Sequence, residues 1–255
     1  MPERPYVLIS VATSIDGYID DASGTRLILS GPADLDRVDE VRAGCDAILV
    51  GAGTIRRDNP ALLVRSARRR AARADRGQPA SPVKVTLTRT ADLDPAARFF
   101  TAGPPAGGAR AGGVRAGGGL ITDDVTRLVY VPEPAGQRAR DRLGTAATVI
   151  AAGERGDLRA LLADLRARGV RRLLVEGGNS VFTQFLAAGL ADELHLAIAP
   201  LLVGDPAAPR FAAAERISDL PADRIELAES RQVGDVVLAR YLLSGRGGAH
   251  GQAAS

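Results

Sequence analysis

Leu173-Leu174-Val175-Glu176-Gly177-Gly178-Asn179-Ser180 joins an apolar run to a helix start through a Glu-Gly-Gly turn. Such a turn suits an anionic ligand. Glycines let the backbone approach a phosphate, their N–H groups point outward, and the helix that follows adds its positive end. Glu176 stands at the carboxyl end of the presumed strand, where open α/β sheets meet their ligands. A Gly-Gly pair after a strand also serves simply to turn the chain, so the rest of the sequence must decide.

Outward from this turn, apolar and β-branched segments alternate with helical patterns. Tyr6 to Ala12, Ala47 to Val50, Val83 to Leu87, Arg127 to Val131, Thr148 to Ala151 and Arg172 to Val175 read as strands. Asp34 to Arg42 places Leu35, Val38 and Val41 on one helical face and is closed by Gly44, and Leu158 to Ala167 is a second amphipathic helix. Alternation of this kind predicts a mainly parallel sheet flanked by helices. Glu193 to Leu202, Arg224 to Ser230 and Val236 to Leu242 follow without helices between them, which predicts an antiparallel C-terminal edge. The arginine-rich stretch Ser66 to Gln78 and the Gly/Ala/Pro/Arg stretch Gly103 to Gly119 are expected to be flexible insertions, and residues 245–255 a disordered tail. The expectation is a single domain over residues 1–244.

The totals exclude several functions. Mean hydropathy is +0.01, and no apolar run reaches the about 20 residues of a membrane span. The N-terminus lacks the basic-then-apolar plan of a secretory signal, so a cytoplasmic location is expected. The single cysteine, Cys45, and two histidines, His195 and His250, give no metal constellation. Cys45 reads as a buried small hydrophobe, and His195 as a packed histidine within a strand. A net charge of +3 and the run Arg65 to Arg73 raise nucleic acid as a partner. Lys84 is the sole lysine, however, so arginine does lysine's work throughout, and aromatics for base stacking make up only 4%. Neither nucleic acid nor membrane is expected as a partner.

Several pieces lie in a fixed order: Ser14-Ile15-Asp16-Gly17 after the first strand, Arg42 in the first helix, Val50-Gly51-Ala52-Gly53-Thr54 after the second strand, Asp58-Asn59-Pro60-Ala61-Leu62 with Arg65, and Val175-Glu176-Gly177-Gly178-Asn179. This order, from about Tyr6 to Tyr241, resembles the pyrimidine reductase family of riboflavin biosynthesis, whose fold is that of dihydrofolate reductase. The resemblance implies an α/β, dihydrofolate-reductase-like mixed sheet and an NADPH-dependent reduction of 5-amino-6-(5-phosphoribosylamino)uracil to its ribitylamino form. The zinc deaminase that many members carry has a His-x-Glu and Pro-Cys-x-x-Cys signature, absent here, so deamination is expected of another protein.

The resemblance also assigns residues. Ala12 matches a position whose backbone meets the nicotinamide carboxamide of NADPH, Thr54 a cofactor-facing hydroxyl after the close-approach glycines Gly51 and Gly53, and Gly177, Gly178, Asn179, Ser180 and Val181 the pyrophosphate cradle. Arg89 is placed to meet the 2′-phosphate, against the plainer reading of a solvated turn arginine. Arg42 and Arg65 resemble the arginines on the phosphate side of the substrate, with Leu62 lining the same pocket. Glu176 matches a carboxylate that accepts from the pyrimidine N–H groups or the sugar, against a structural ion pair. Asp58 is the candidate for polarising the opened sugar or relaying a proton, and for contacting the cofactor, against simple turn chemistry in Asp-Asn-Pro. Both are implied catalytic residues, and no metal is implied.

One position departs from the family pattern. After Ser-x-Asp-Gly a lysine or arginine is frequent, and this chain has Tyr18, with Arg26 as a substitute charge downstream. The departure keeps open a same-fold reductase of another substrate: the diamino-pyrimidinone precursor, a dihydropterin or a specialised metabolite. A ligand-binding dimer without turnover is disfavoured by Glu176, Asp58, Thr54 and both arginines. The apolar run Leu194 to Val203 beside antiparallel edge strands, together with the habits of this fold, leads to the expectation of a homodimer.

Overall fold

Val7, Leu8 and Ile9 lose all solvent contact in β1 (Tyr6–Thr13), as an unbroken apolar strand covered on both faces must. The structure is a computed structural model that describes residues 3–23, 25, 27–103, 125–153, 157–212 and 225–243. Arg26, the stretch 104–119, the start of the Arg224 strand and the tail 245–255 lie outside the described residues. Among the described residues nine strands belong to one mixed sheet, and the chain divides into two compact units, which are described in turn.

The first unit takes the described residues of Val38–Leu173. Its strands β2 (Ala47–Gly51), β3 (Val83–Leu87), β4 (Arg127–Val131) and β5 (Thr148–Ala151) pair in parallel, each with the next. Helices connect them: α2 (Ala52–Asp58), α3 (Ala67–Asp75), α4 (Arg98–Thr101), α5 (Gly136–Leu143) and α6 (Leu158–Ala167). Helix α6 buries Leu158, Leu161, Leu162 and Leu165, the i, i+3, i+4, i+7 stripe legible in the sequence, and Asp157 caps its start. Lys84 is completely buried and donates to the carbonyls of Phe99 (3.0 Å) and Ala102 (2.8 Å), so the sole lysine of the chain ties β3 to α4.

The arginine-rich stretch corrects an expectation. Residues 67–75 form α3, capped by the Ser66 hydroxyl, which accepts from the Arg69 N–H. Alanine and arginine are both strong helix formers, and Ser is a favoured cap, so local propensity overrides the low hydrophobicity. Arg73 is 1% exposed and donates to the carbonyls of Pro79 (2.8 Å), Ala43 (2.9 Å) and Cys45 (2.8 Å). A polar side chain here does the docking that an apolar one does elsewhere.

The second unit takes Tyr6–Arg37 and the described residues from Leu174 onward. β1 pairs in parallel with β7 (Glu193–Ile198), from Leu8 opposite Glu193 to Thr13 opposite Ile198. β7 and β9 (Val236–Leu242) are antiparallel, as are β9 and β8 (Glu226–Val233), which gives the expected antiparallel edge. Helix α1 (Pro32–Ala43) begins in this unit and ends in the other, β6 (Arg172–Gly177) does the reverse, and α7 (Asn179–Ala187) lies wholly in the second unit.

A polar row, buried at Glu193 and His195 and half-buried at Arg240 and Glu229, crosses β7, β9 and β8. Glu193 accepts from the Tyr6 hydroxyl (3.1 Å) and from Arg240 (2.8 Å), lies 2.8 Å from His195 Nε2, and Arg240 also donates to Glu229 (2.8 Å). Burial alone would raise the Glu193 carboxyl, but the hydrogen bonds and charges of His195 and Arg240 outweigh it and hold it at about 2. Burial pushes the His195 imidazole down, against the pull of Glu193. Both shifts act in one direction. A depressed carboxyl contributes stability that is present above 4.5 and lost as pH falls toward about 2, and a depressed imidazole loses its contribution below 6.5. Urea-unfolding free energy is therefore expected to decline steadily with acidification, and Glu193→Gln to flatten the limb below 4.5. A wild-type profile that stays level down to pH about 2 would refute this.

Candidate active site

In the first unit the carboxyl end of β2 passes directly into α2. Gly51 is buried at the helix start, Gly53 is exposed with open space where a Cβ would stand, and Thr54 is half-buried in the first turn. Parallel pairing sets Gly51 opposite Leu87, so Arg89, exposed two residues beyond β3, stands at the same sheet edge as Gly51, Gly53 and Thr54. This edge is where open α/β sheets bind their ligands.

Asp58 closes α2 and is half-buried. Asn59 follows in the left-handed conformation (φ 43°), with its N–H on the Ile55 carbonyl (3.1 Å) and its Oδ1 accepting from the Arg98 N–H (2.6 Å). Leu62, buried, is also left-handed (φ 48°), as is Ala91 (φ 59°) beyond Arg89. These are the three non-glycine left-handed residues among the described residues, and they fall in the loops that follow α2 and β3. Backbone held in so sparsely populated a region concentrates at ligand-binding sites.

The same loop receives the arginines. Arg42, near the end of α1, donates to the Leu63 carbonyl (3.3 Å). Arg65 is exposed, and its backbone N–H donates to the buried Asp39 carboxylate (2.5 Å), which lies 3.8 Å from its guanidinium. Leu62, Arg42 and Arg65 are thus brought together, as the resemblance implies, with Asp39 and Arg69 added by the structure. Asp39 carried no sequence signal, being one carboxylate on a charged helical face.

In the second unit Ala12 is half-buried near the end of β1, and Glu176 half-buried near the end of β6. Gly177 adopts φ 145°, which only glycine takes readily, and its bond to Gly178 is cis. Gly178 caps α7 without a side chain, so no side-chain acceptor serves the first amides of the helix. The N–H groups of Val181 (2.9 Å) and Phe182 (3.1 Å) already donate to the Gly178 carbonyl, which leaves Asn179 and Ser180 as the principal amides of the predicted cradle. A donor set of glycines and helix-start amides fits a pyrophosphate, and the NADPH implied by the resemblance would be held here by Gly177, Gly178, Asn179 and Ser180.

The Ser14 to Tyr18 turn shows what stands at the departure from the family pattern. Tyr18 is buried, the Arg210 guanidinium lies over its ring (4.4 Å), and Arg210 donates to the Tyr18 hydroxyl (3.0 Å) and the Asp16 carbonyl (2.9 Å). The side-chain amide of Asn179 donates in turn to the Arg210 carbonyl. A cation is present at this turn after all, supplied from 192 residues away, where no local pattern announces it. The Ser14 hydroxyl, with the N–H groups of Gly204 and Val203, holds the Asp16 carboxyl down at about 2 despite some desolvation, so the turn is anchored to the segment after β7.

Among the described residues no helix is long and apolar enough to cross a membrane, and no group of His, Cys, Asp and Glu could hold a metal ion. The family model described as the RibD C-terminal domain matches residues 5–239. A protein of Archaeoglobus fulgidus named 2,5-diamino-6-ribosylamino-4(3H)-pyrimidinone 5′-phosphate reductase is 34% identical over 93% of this chain and 99% of its own length. A protein of Methanothermobacter thermautotrophicus with the same name is 33% identical over 95% of this chain and 100% of its own. In fold, a pyrimidine reductase-like protein of Corynebacterium diphtheriae matches with a TM-score of 0.75 at 24% identity, over 93% of this chain and 91% of that one. The mixed sheet is accordingly the dihydrofolate-reductase-like one expected, and the chain belongs to the RibD C-terminal domain family, the reductase family of riboflavin biosynthesis.

Proposed function

We propose that the chain reduces the ribosylamino group of a phosphoribosylamino-pyrimidine to ribitylamino, with NADPH as hydride donor. The observation that carries this reading is the match, along nearly their full lengths, to two relatives named for that reduction. Their names favour the 2,5-diamino-pyrimidinone 5′-phosphate over the uracil form as substrate.

When bound, NADPH would supply a hydride for C1′ of the opened sugar. The chain's own residues bind, orient and handle protons. Gly177, Gly178, Asn179 and Ser180 hold the pyrophosphate; Ala12 offers its backbone to the nicotinamide carboxamide, and Thr54 offers the cofactor a hydroxyl after Gly51 and Gly53. Arg42 and Arg65 grip the 5′-phosphate, Glu176 accepts from the pyrimidine or sugar, and Asp58 supplies or relays the proton to the nitrogen. We also propose a homodimer, supported by the outer strand β8, exposed at all but two of its residues, with exposed Leu227 on it and exposed Val237 on its neighbour β9.

The test follows NADPH oxidation optically with the diamino-pyrimidinone phosphate and, in parallel, the uracil phosphate. Faster turnover of the former is expected; binding of NADPH without turnover of either would refute the reading. Arg89→Ala is expected to weaken NADPH about tenfold, the scale of one charge-assisted hydrogen bond, with little change for NADH. Equal losses with both cofactors would remove Arg89 from the 2′-phosphate.

A further inference from the structure

Asp39 is 2% exposed, and its carboxylate gathers four groups from one short segment. It accepts from the backbone N–H of Arg65 (2.5 Å) and of Ser66 (3.1 Å), pairs with the Arg69 guanidinium (3.1 Å), and lies 3.8 Å from the Arg65 guanidinium. Ser66 is the residue that caps α3, so one carboxylate fixes both the start of that helix and the arginine just before it. On the same helix as Asp39, about one turn on, Arg42 donates to the Leu63 carbonyl.

Burying a carboxylate costs free energy that these hydrogen bonds must offset, and a structural tie alone would not need to sit beside the most exposed arginine of the set. Arg65 is 54% exposed on its side chain while its backbone is clamped, so its guanidinium, 3.8 Å from Asp39, reaches solvent from a fixed base. Arg69, by contrast, is 13% exposed and spent on Asp39. The carboxylate thus holds two neighbouring arginines that differ in exposure, Arg69 largely covered and Arg65 about half open.

We infer that Asp39 is a positioning residue for the substrate's phosphate group, acting through Arg65. It touches no reacting atom. Its work is to fix the base from which Arg65 reaches a phosphate monoester, so that little side-chain freedom is lost when the ligand arrives. The inference rests on the reading of Arg65 as a phosphate arginine.

The experiment compares the phosphorylated substrate with its dephosphorylated counterpart in wild type, Arg65→Ala, Asp39→Asn and Asp39→Glu, and reads the ratio of the two kcat/KM values together with a thermal melt. Arg65→Ala and both Asp39 variants are expected to lower the ratio about tenfold, through KM for the phosphorylated substrate and with kcat held within a factor of about two. Asp39→Glu keeps the charge and the acceptors but lengthens the arm, so it remains informative where Asp39→Asn melts too early to assay. A ratio lowered in Arg65→Ala but unchanged in the folded Asp39 variants overturns the inference and leaves the phosphate reading standing. An unchanged ratio in Arg65→Ala overturns the phosphate reading and the inference with it. Equal falls of kcat and 1/KM for both substrates in the Asp39 variants would assign Asp39 to folding alone and also overturn the inference.

Discussion

Asp58→Asn and Glu176→Gln are each expected to lower kcat/KM by about 100-fold or more, the scale of a lost general acid or a lost transition-state contact, with the thermal melt unchanged. Both substitutions keep shape and one acceptor oxygen while removing charge, so their effect reports chemistry rather than packing. Asp58 ends a helix whose cap, Asn59, and whose following loop are held by independent hydrogen bonds to Ile55 and Arg98. The loop therefore has reasons to keep its form without the Asp58 charge. The two variants should differ in kind. Asp58→Asn is expected to act on kcat, because a proton must move, whereas Glu176→Gln should act on KM as well, because an acceptor for substrate N–H groups is weakened. Wild-type rates in both would remove these residues from the site, and a shared collapse of the melt would assign them to structure.

The largest effect on stability is expected at Arg73. Arg73→Ala strips donors from the carbonyls of Pro79, Ala43 and Cys45, and a buried acceptor left without a donor costs about 1–3 kcal/mol. A loss of about 3–5 kcal/mol in urea unfolding is expected, a large fraction of a domain's total. Burial draws the Arg73 guanidinium below its ordinary value, yet arginine remains charged over the working range, so the loss should not depend on pH between about 6 and 9. Arg68→Ala, an exposed neighbour on the same helix, is the control and should change stability by less than about 0.5 kcal/mol. Similar losses in the two variants would mean that α3 contributes through general helix content rather than through the buried guanidinium.

Much of the fold is legible because it rests on period and propensity. β3, β4, β5, β9 and α6 have the bounds that their apolar patterns predict, and β1, β2 and β6 run only one or two residues longer. β7 stops at Ile198, short of the apolar run's end at Leu202, because exposed Leu202 belongs to the segment that anchors the Ser14 turn. α3 was illegible to a reading that equates a core with apolar residues: Arg73 docks the helix through carbonyls, an interaction invisible to hydropathy. The buried Lys84 escaped for the same reason, its only cue being its place between β-branched residues.

The candidate site divides along the same line. Glycines, Glu176, Asp58 and the arginines were legible as motif residues in a family order, since turn chemistry is local. The cation on Tyr18 was not, because Arg210 reaches that turn from far along the chain. Asp39 was not, because its partners Arg65, Ser66 and Arg69 converge only once α3 exists. Long-range polar contacts leave no periodic trace in sequence.

The central claim is hydride transfer from NADPH to C1′ of the sugar, and the most direct measurement supplies NADPH fully deuterated at C4 of the nicotinamide with the diamino-pyrimidinone phosphate, then locates the label by NMR and mass spectrometry. A single deuterium at C1′ of the ribityl chain is predicted. Deuterium in the pyrimidine ring, or oxidation of the cofactor with no label in the product, would contradict it.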